Sequence, residues 1–168
     1  MVPGMRELNM TKYVAGLLFD SIGSTVALIH KTRGPAPVIG KWNAIGGKVK
    51  VGEPGLPDES SAAAMWREFI EEAGVDVPWT LFLHLMGDDW QVDFYHAFDA
   101  RKLAQIRQME EEQVGIFCLD DLPTTIIPNL RWILPMATGH KDDHVWVYRV
   151  DEFETFGYRQ RVEDGMEP

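Results

Sequence analysis

The sequence predicts an α/β protein in which helices cover a mixed β-sheet, and three observations carry the prediction. Runs of β-branched, aromatic and leucine residues outnumber the helical patterns. Helical segments interrupt those runs, which neither a sandwich nor a bundle would show. The chain has 168 residues, 45% of them hydrophobic, enough apolar material for the core of one globular unit.

The elements follow in order. KYVAGLLFD and STVALIHK, separated by DSIG, read as two strands joined by a turn. TRGPAPVIGKW carries too much Gly and Pro for regular structure and reads as a loop. NAIGGKV begins as a short strand and ends in glycines, and VGEPGLPDES is a second loop, in which Asp58 or Ser60 is placed to cap a helix. That helix is predicted over about Glu59 to Ala73, stopped by Gly74. TLFLHLM and WQVDFYHAF flank GDD as a hairpin would. ARKLAQIRQMEEE fits a helix or a long loop equally. VGIFCL is a further strand, NLRWILPMA a helix and HVWVYRV a last strand. There is no internal repeat, low-complexity tract or linker, so residues 11–168 are expected to form one domain behind a loose arm of residues 1–10, with Met5 and Met10 as alternative starts.

Charge limits the function. A formal charge of -10 and a pI near 4.9 argue against a broad face for a nucleic acid polymer, which presents a basic stripe. An anionic small molecule stays open if a metal ion or a few local Lys and Arg residues bridge the like charges. The single cysteine, Cys118, excludes an intrachain disulfide and a multi-cysteine metal site, as suits a reducing cytoplasm. In the apolar run GIFCL it is expected to be a packed thiol rather than a nucleophile. No apolar segment approaches membrane-spanning length and MVPGMRELNM lacks the apolar stretch of a signal peptide, so the expected location is cytoplasmic, without a membrane partner.

The stretch REFIEEAGV carries the chemistry. Glu68, Glu71 and Glu72 lie three and four residues apart, so on a helix they share a face, where like charges cost roughly 0.2–0.5 kcal/mol per pair. At about 100° per residue, Ala62, Trp66, Phe69, Ile70 and Ala73 form an apolar arc opposite these glutamates, with Arg67 beside Glu71. Taken alone the pattern is that of an amphipathic helix with a solvated acidic face. Upstream, GGKVKVGE brings two glycines and another carboxylate to the loop before the helix. Glycines admit close backbone approach, and carbonyls with carboxylates make the oxygen set that hard cations such as Mg²⁺ prefer.

Together, Gly47, Glu53, Arg67, Glu68, Glu71, Glu72, Gly74 and Val75 resemble the signature of the Nudix hydrolases. Gly47 to Glu53 fits its first half and Arg67 to Val75 its second. The chain departs from the pattern between them, where PGLPDESSAAAMW is six residues longer than the usual seven. Either Glu53 keeps the family's loop-glutamate role across the longer loop, the reading favoured here, or Glu59, at the right distance before Arg67, replaces it.

The resemblance implies an α/β/α sandwich around a mixed sheet. It implies Mg²⁺, or Mn²⁺, held by Glu68, Glu71 and Glu72 with the Gly46 carbonyl as a further ligand, and Arg67 orienting a glutamate. It also implies cleavage of a diphosphate bond with a carboxylate as base: Glu72, or one of the EEE run Glu110 to Glu112, which read alone is a solvated charge patch. Aligned through LDDLP in MEEEQVGIFCLDDLP, Glu111 takes the position of an acidic residue that reaches back to the metals in nucleotide-cleaving members and so serves as a further ligand. GKWNAIGGKV resembles the branch that acts on oxidised purine nucleoside triphosphates, where Asn43 and, in IIPNLRW, Asn129 would contact the base. An amide offers donor and acceptor to a purine edge. The ordinary readings are a loop residue for Asn43 and a helix N-cap for Asn129, the latter compatible with base contact. The expected activity is therefore hydrolysis of nucleoside triphosphates to monophosphate and pyrophosphate by a monomer or homodimer. The alternatives are hydrolysis of another nucleoside diphosphate derivative, such as ADP-ribose or a nucleotide sugar, and a non-catalytic nucleotide sensor.

The remaining features carry less. Trp90, Phe94 and Trp132 offer stacking faces but sit in apolar runs typical of core. HKDDH, residues 140–144, lies in a polar connection, and Lys41 and Arg33 either meet phosphates or face solvent.

Overall fold

The computed structural model describes residues 10–153 and 157–159. Apart from Met10, the expected N-terminal arm lies outside the described residues, as does the end of the tail. Along the chain run β1 (Thr11–Phe19), β2 (Thr25–His30), β3 (Trp42–Asn43), α1 (Ser61–Ala73), β4 (Thr80–Met86), β5 (Trp90–Phe98), α2 (Ala100–Leu103), β6 (Val114–Cys118), α3 (Leu130–Gly139), β7 (Trp146–Arg149), β8 (Asp151–Phe153) and β9 (Gly157–Arg159). The undecided stretch is thus one short turn of helix followed by irregular chain.

The sheet is mixed, in the order β3-β2-β1-β5-β4-β7, with β6 also on β2. β1 and β5 pair in parallel from Thr11↔Trp90 to Phe19↔Phe98, while β4 and β5 form the expected antiparallel hairpin, closed by Gly87 N–H donating to the Trp90 carbonyl at 2.9 Å. Among the described residues β8 and β9 pair only with each other.

Alternation along β1 divides the core into two layers. Ala15, Leu17 and Phe19 pack with Leu130, Ile133, Leu134 and Ala137 of α3. Val14 and Leu18 pack on the opposite face with Ala64, Met65, Phe69 and Ala73 of α1. The sheet therefore lies between the two helices as the middle layer of an α/β/α sandwich. β3 is shorter than NAIGGKV suggested, because the chain beyond it crosses β1 so closely that a side chain at Gly46 would collide with the Val14 carbonyl.

Helix α1 starts at Ser61, capped by Ser60, whose hydroxyl accepts from Ala63 N–H. Asp58 turns back instead to accept from Gly52 N–H at 2.8 Å. Gly74 ends the helix at φ 73°, donating its N–H to the Ile70 carbonyl. The buried face is Ala64, Met65, Phe69, Glu72 and Ala73, so the arc expected from Ala62 and Trp66 is corrected. Both of those are exposed, and Trp66 keeps an indole N–H bond to Asp76 at 2.8 Å. The helix is turned toward Met65, and that rotation carries Glu72 out of the solvated face. Cys118, expected inside, is exposed on β6.

Candidate active site

A cleft of about 1060 Å³ opens between α1, the glycine turn at Gly46–Gly47, the loop after β2, and the start of α3. Glu68 and Glu72 reach it from α1, Lys31 and Arg33 from the end of β2 and its loop, Glu110 and Glu112 from the segment before β6, and Asn43 from β3. Asn129 and Trp132 enter from the α3 side, above Leu85 and Phe94 of the sheet.

Arg67 organises the outer glutamates. Its Nε and Nη2 donate to both oxygens of Glu59 at 2.8 and 2.9 Å, its Nη1 to Glu68 at 2.6 Å and Glu71 at 3.1 Å, and Nη2 also to the Lys48 carbonyl at 3.2 Å. The bidentate fork is the strong form of this pair. The Arg67 hydrogen bond, aided by Lys50 N–H, pulls the Glu59 carboxyl down to about 2 against the opposing effect of burial. Arg67 is itself held more firmly protonated, chiefly by Glu59.

The inner glutamates are buried. Glu72 is 7% exposed and accepts from Gly46 N–H at 3.1 Å. Burial, with the charges of Glu68 and Glu112 adding to it, pushes its carboxyl up to about 7, although Lys31 and Gly46 N–H oppose the shift. Glu112 is 2% exposed. It accepts from Lys31 Nζ at 2.5 Å, Thr32 N–H at 2.7 Å and Arg33 N–H at 3.1 Å. Burial alone would raise its carboxyl, but these donors outweigh it and hold it low. A Cβ at Gly47 would run into the Glu68 carboxylate, so the bare backbone here makes room for the acid.

The structure brings Gly46, Asn43, Asn129, Glu68 and Glu72 to one cleft, with Arg67 bonded to its rim. It does not bring Glu53, Glu71 or Glu111 among the lining residues. Glu53 is exposed, and Glu59 stands in the Arg67 fork where Glu53 was favoured. Glu71 is half exposed beside Arg67. Glu111 faces solvent while its neighbour Glu112 turns inward. Sequence reading took Glu111 from the run Glu110 to Glu112 where Glu112 turns in, because three identical residues do not say which one does, and it missed the part played by Lys31.

The two asparagines differ. Asn43 Oδ1 accepts from Ala44 N–H at 2.8 Å. Asn129 occupies the N-cap position of α3 without a side-chain capping bond, and its Oδ1 is buried with no hydrogen-bond partner among the described residues. A buried acceptor left unmade costs about 1–3 kcal/mol, and a helix cap does not account for this one.

No protein-family model matches the chain, and no curated protein does. Solved structures do. A MutT NUDIX hydrolase from Burkholderia pseudomallei is 25% identical, covering 75% of this chain and 96% of its own, with a TM-score of 0.59. MutT described from Aliivibrio salmonicida and Vibrio cholerae is 28% identical, covering 78% of this chain and 98% of its own, at 0.57. The MutT protein of Bacillus halodurans, 17% identical, covers 90% of this chain and 95% of its own at 0.64, and shows the shared fold alone.

Proposed function

We propose that the chain, similar in fold and glutamate signature to Nudix hydrolases, is an Mg²⁺-dependent pyrophosphohydrolase converting nucleoside triphosphates, oxidised purine nucleotides among them, to monophosphate and pyrophosphate. One observation supports this substrate most: the buried, unpartnered Asn129 oxygen lines the same cleft as Glu68, Glu72 and Glu112. A base donor and a metal-bound polyphosphate answer those two features at once.

The donor set suits a hard divalent cation. Carboxylates of Glu68 and Glu72 with the Gly46 carbonyl supply oxygen, and buried carboxylates call for positive charge. Among the described residues no three His, Cys, Asp or Glu side chains converge as a ready-made metal cluster. Bound there, the ion neutralises phosphate charge and lowers the pKa of the attacking water. Glu112 takes the inward role expected of Glu111, and the base is one of the two buried carboxylates, Glu72 or Glu112. Arg67 fixes Glu68, and through Glu59 it ties the helix to the preceding loop. Lys31 and Arg33 line the same cleft and offer positive charge to the phosphates.

Incubation with a nucleotide panel, with and without Mg²⁺, and product identification by mass tests the proposal. Monophosphate and pyrophosphate formed only with Mg²⁺ are expected. Cleavage of ADP-ribose or a nucleotide sugar instead, or tight binding without turnover, would overturn it in favour of the corresponding alternative.

A further inference from the structure

Lys31 contributes something the glutamate signature does not contain. Its Nζ lies 2.5 Å from Glu112 and 3.8 Å from Glu72, and its side chain is 18% exposed. Two buried carboxylates facing one cleft repel each other and lose hydration, a cost of several kcal/mol per ion unless a cation compensates. Among the described residues, Lys31 is the cation paired with both. The outer glutamates, by contrast, are served by Arg67, whose multiply bonded fork fixes it in place. Lys31 carries a compact charge on a flexible stem, with three rotatable donors, and it lines the cleft along with Arg33. Its ammonium can leave the glutamates without leaving the site.

We propose that Lys31 is a tethered counter-ion that occupies the positive position between Glu72 and Glu112 in the metal-free enzyme, competes with the divalent cation for them, and is released toward substrate phosphate when the cation binds. The inference rests on the metal-dependent reading above and adds an exchange of cations to it. Both states of the site stay close to charge balance, so the buried glutamates are never left bare.

Calorimetric titration with Mn²⁺ in the absence of nucleotide tests it on the wild type, Lys31→Met and Lys31→Arg. Removing the competitor should tighten Mn²⁺ binding by roughly tenfold, the scale of one partly screened charge pair near 4 Å. Lys31→Met should also melt lower than wild type without metal and gain more in melting temperature from Mn²⁺, whereas Lys31→Arg should stay near wild type in both. Equal or weaker Mn²⁺ binding by Lys31→Met overturns the counter-ion role while leaving metal dependence intact. Absence of Mn²⁺ binding in every protein removes the metal reading and this one with it. A second measurement uses the wild type alone: acetylation of the Lys31 amine, mapped by peptide mass, should rise on adding Mn²⁺, and an unchanged yield overturns the proposal even if Lys31→Met does not fold.

Discussion

Arg67 shows how one side chain settles an ambiguity that spacing leaves open. Counting from Gly47 favours Glu53 and counting from Arg67 favours Glu59. The structure resolves the conflict by closing the inserted residues into a loop of their own, with Glu59 N–H donating to the Lys50 carbonyl, Lys50 N–H to Glu59, and Gly52 N–H to Asp58. The insertion leaves the helix start undisturbed and returns Glu59 to the guanidinium. Because the Glu59 carboxyl is depressed from 4.5 to about 2, its stabilising effect is complete above pH 4.5 and is lost as pH falls toward 2. Wild type should therefore lose roughly 1–2 kcal/mol more than Glu59→Gln between those values, less than the full shift implies because solvent screens a pair at the rim. Urea midpoints at a series of pH values check it, and parallel curves would deny the pair a stabilising role. Asn129 gives a second prediction at this scale. A capping asparagine replaced by alanine costs about 1 kcal/mol; since this side chain makes no capping bond, Asn129→Ala should keep its melting temperature while altering the preference among bases. Glu111 and Glu112 mark the limit of reading single residues, since the choice between them depends on backbone donors at Thr32 and Arg33 that lie far away in sequence.

At the scale of the element, α1 was legible in its existence and in its end at Gly74, but its rotation was not. Alanines are indifferent to burial, and Trp66 can sit at the rim because its ring nitrogen finds Asp76 there. The apolar residues alone therefore admit more than one rotation. What decides it is Met65, which is fully buried and packs so close to Gly16 that a Cβ there would lie 2.7 Å from the methionine Cε. Met65→Ala should cost about 2–4 kcal/mol in denaturant unfolding, and Trp66→Ala less than about 1 kcal/mol. The reverse ranking would restore the arc drawn from the sequence and return Glu72 to the solvent side.

For the whole molecule, seven strands and their order could be read locally, while β8, β9 and the arrangement of the sheet could not. The parallel pairing of β1 with β5 joins segments separated by the whole of α1 and β4, and no local pattern encodes it. That pairing holds the middle of the sheet together, with α1 on one face and α3 on the other, so that glutamates from one helix and Asn129 from the other open onto a single cleft. The glutamate signature was legible because its spacing is helical; the Lys31 ammonium and the Gly46 N–H that meet Glu72 come from stretches of chain remote from it. The central claim, that this cleft hydrolyses a nucleotide through glutamates that hold a divalent cation, is tested most directly by Mg²⁺-dependent pyrophosphate release from a nucleoside triphosphate, measured for wild type, Glu72→Gln and Glu71→Gln at matched melting temperature. Turnover should fall by orders of magnitude for buried Glu72 and by much less for half-exposed Glu71; wild-type turnover retained by Glu72→Gln, or unaffected by removal of Mg²⁺, would contradict it.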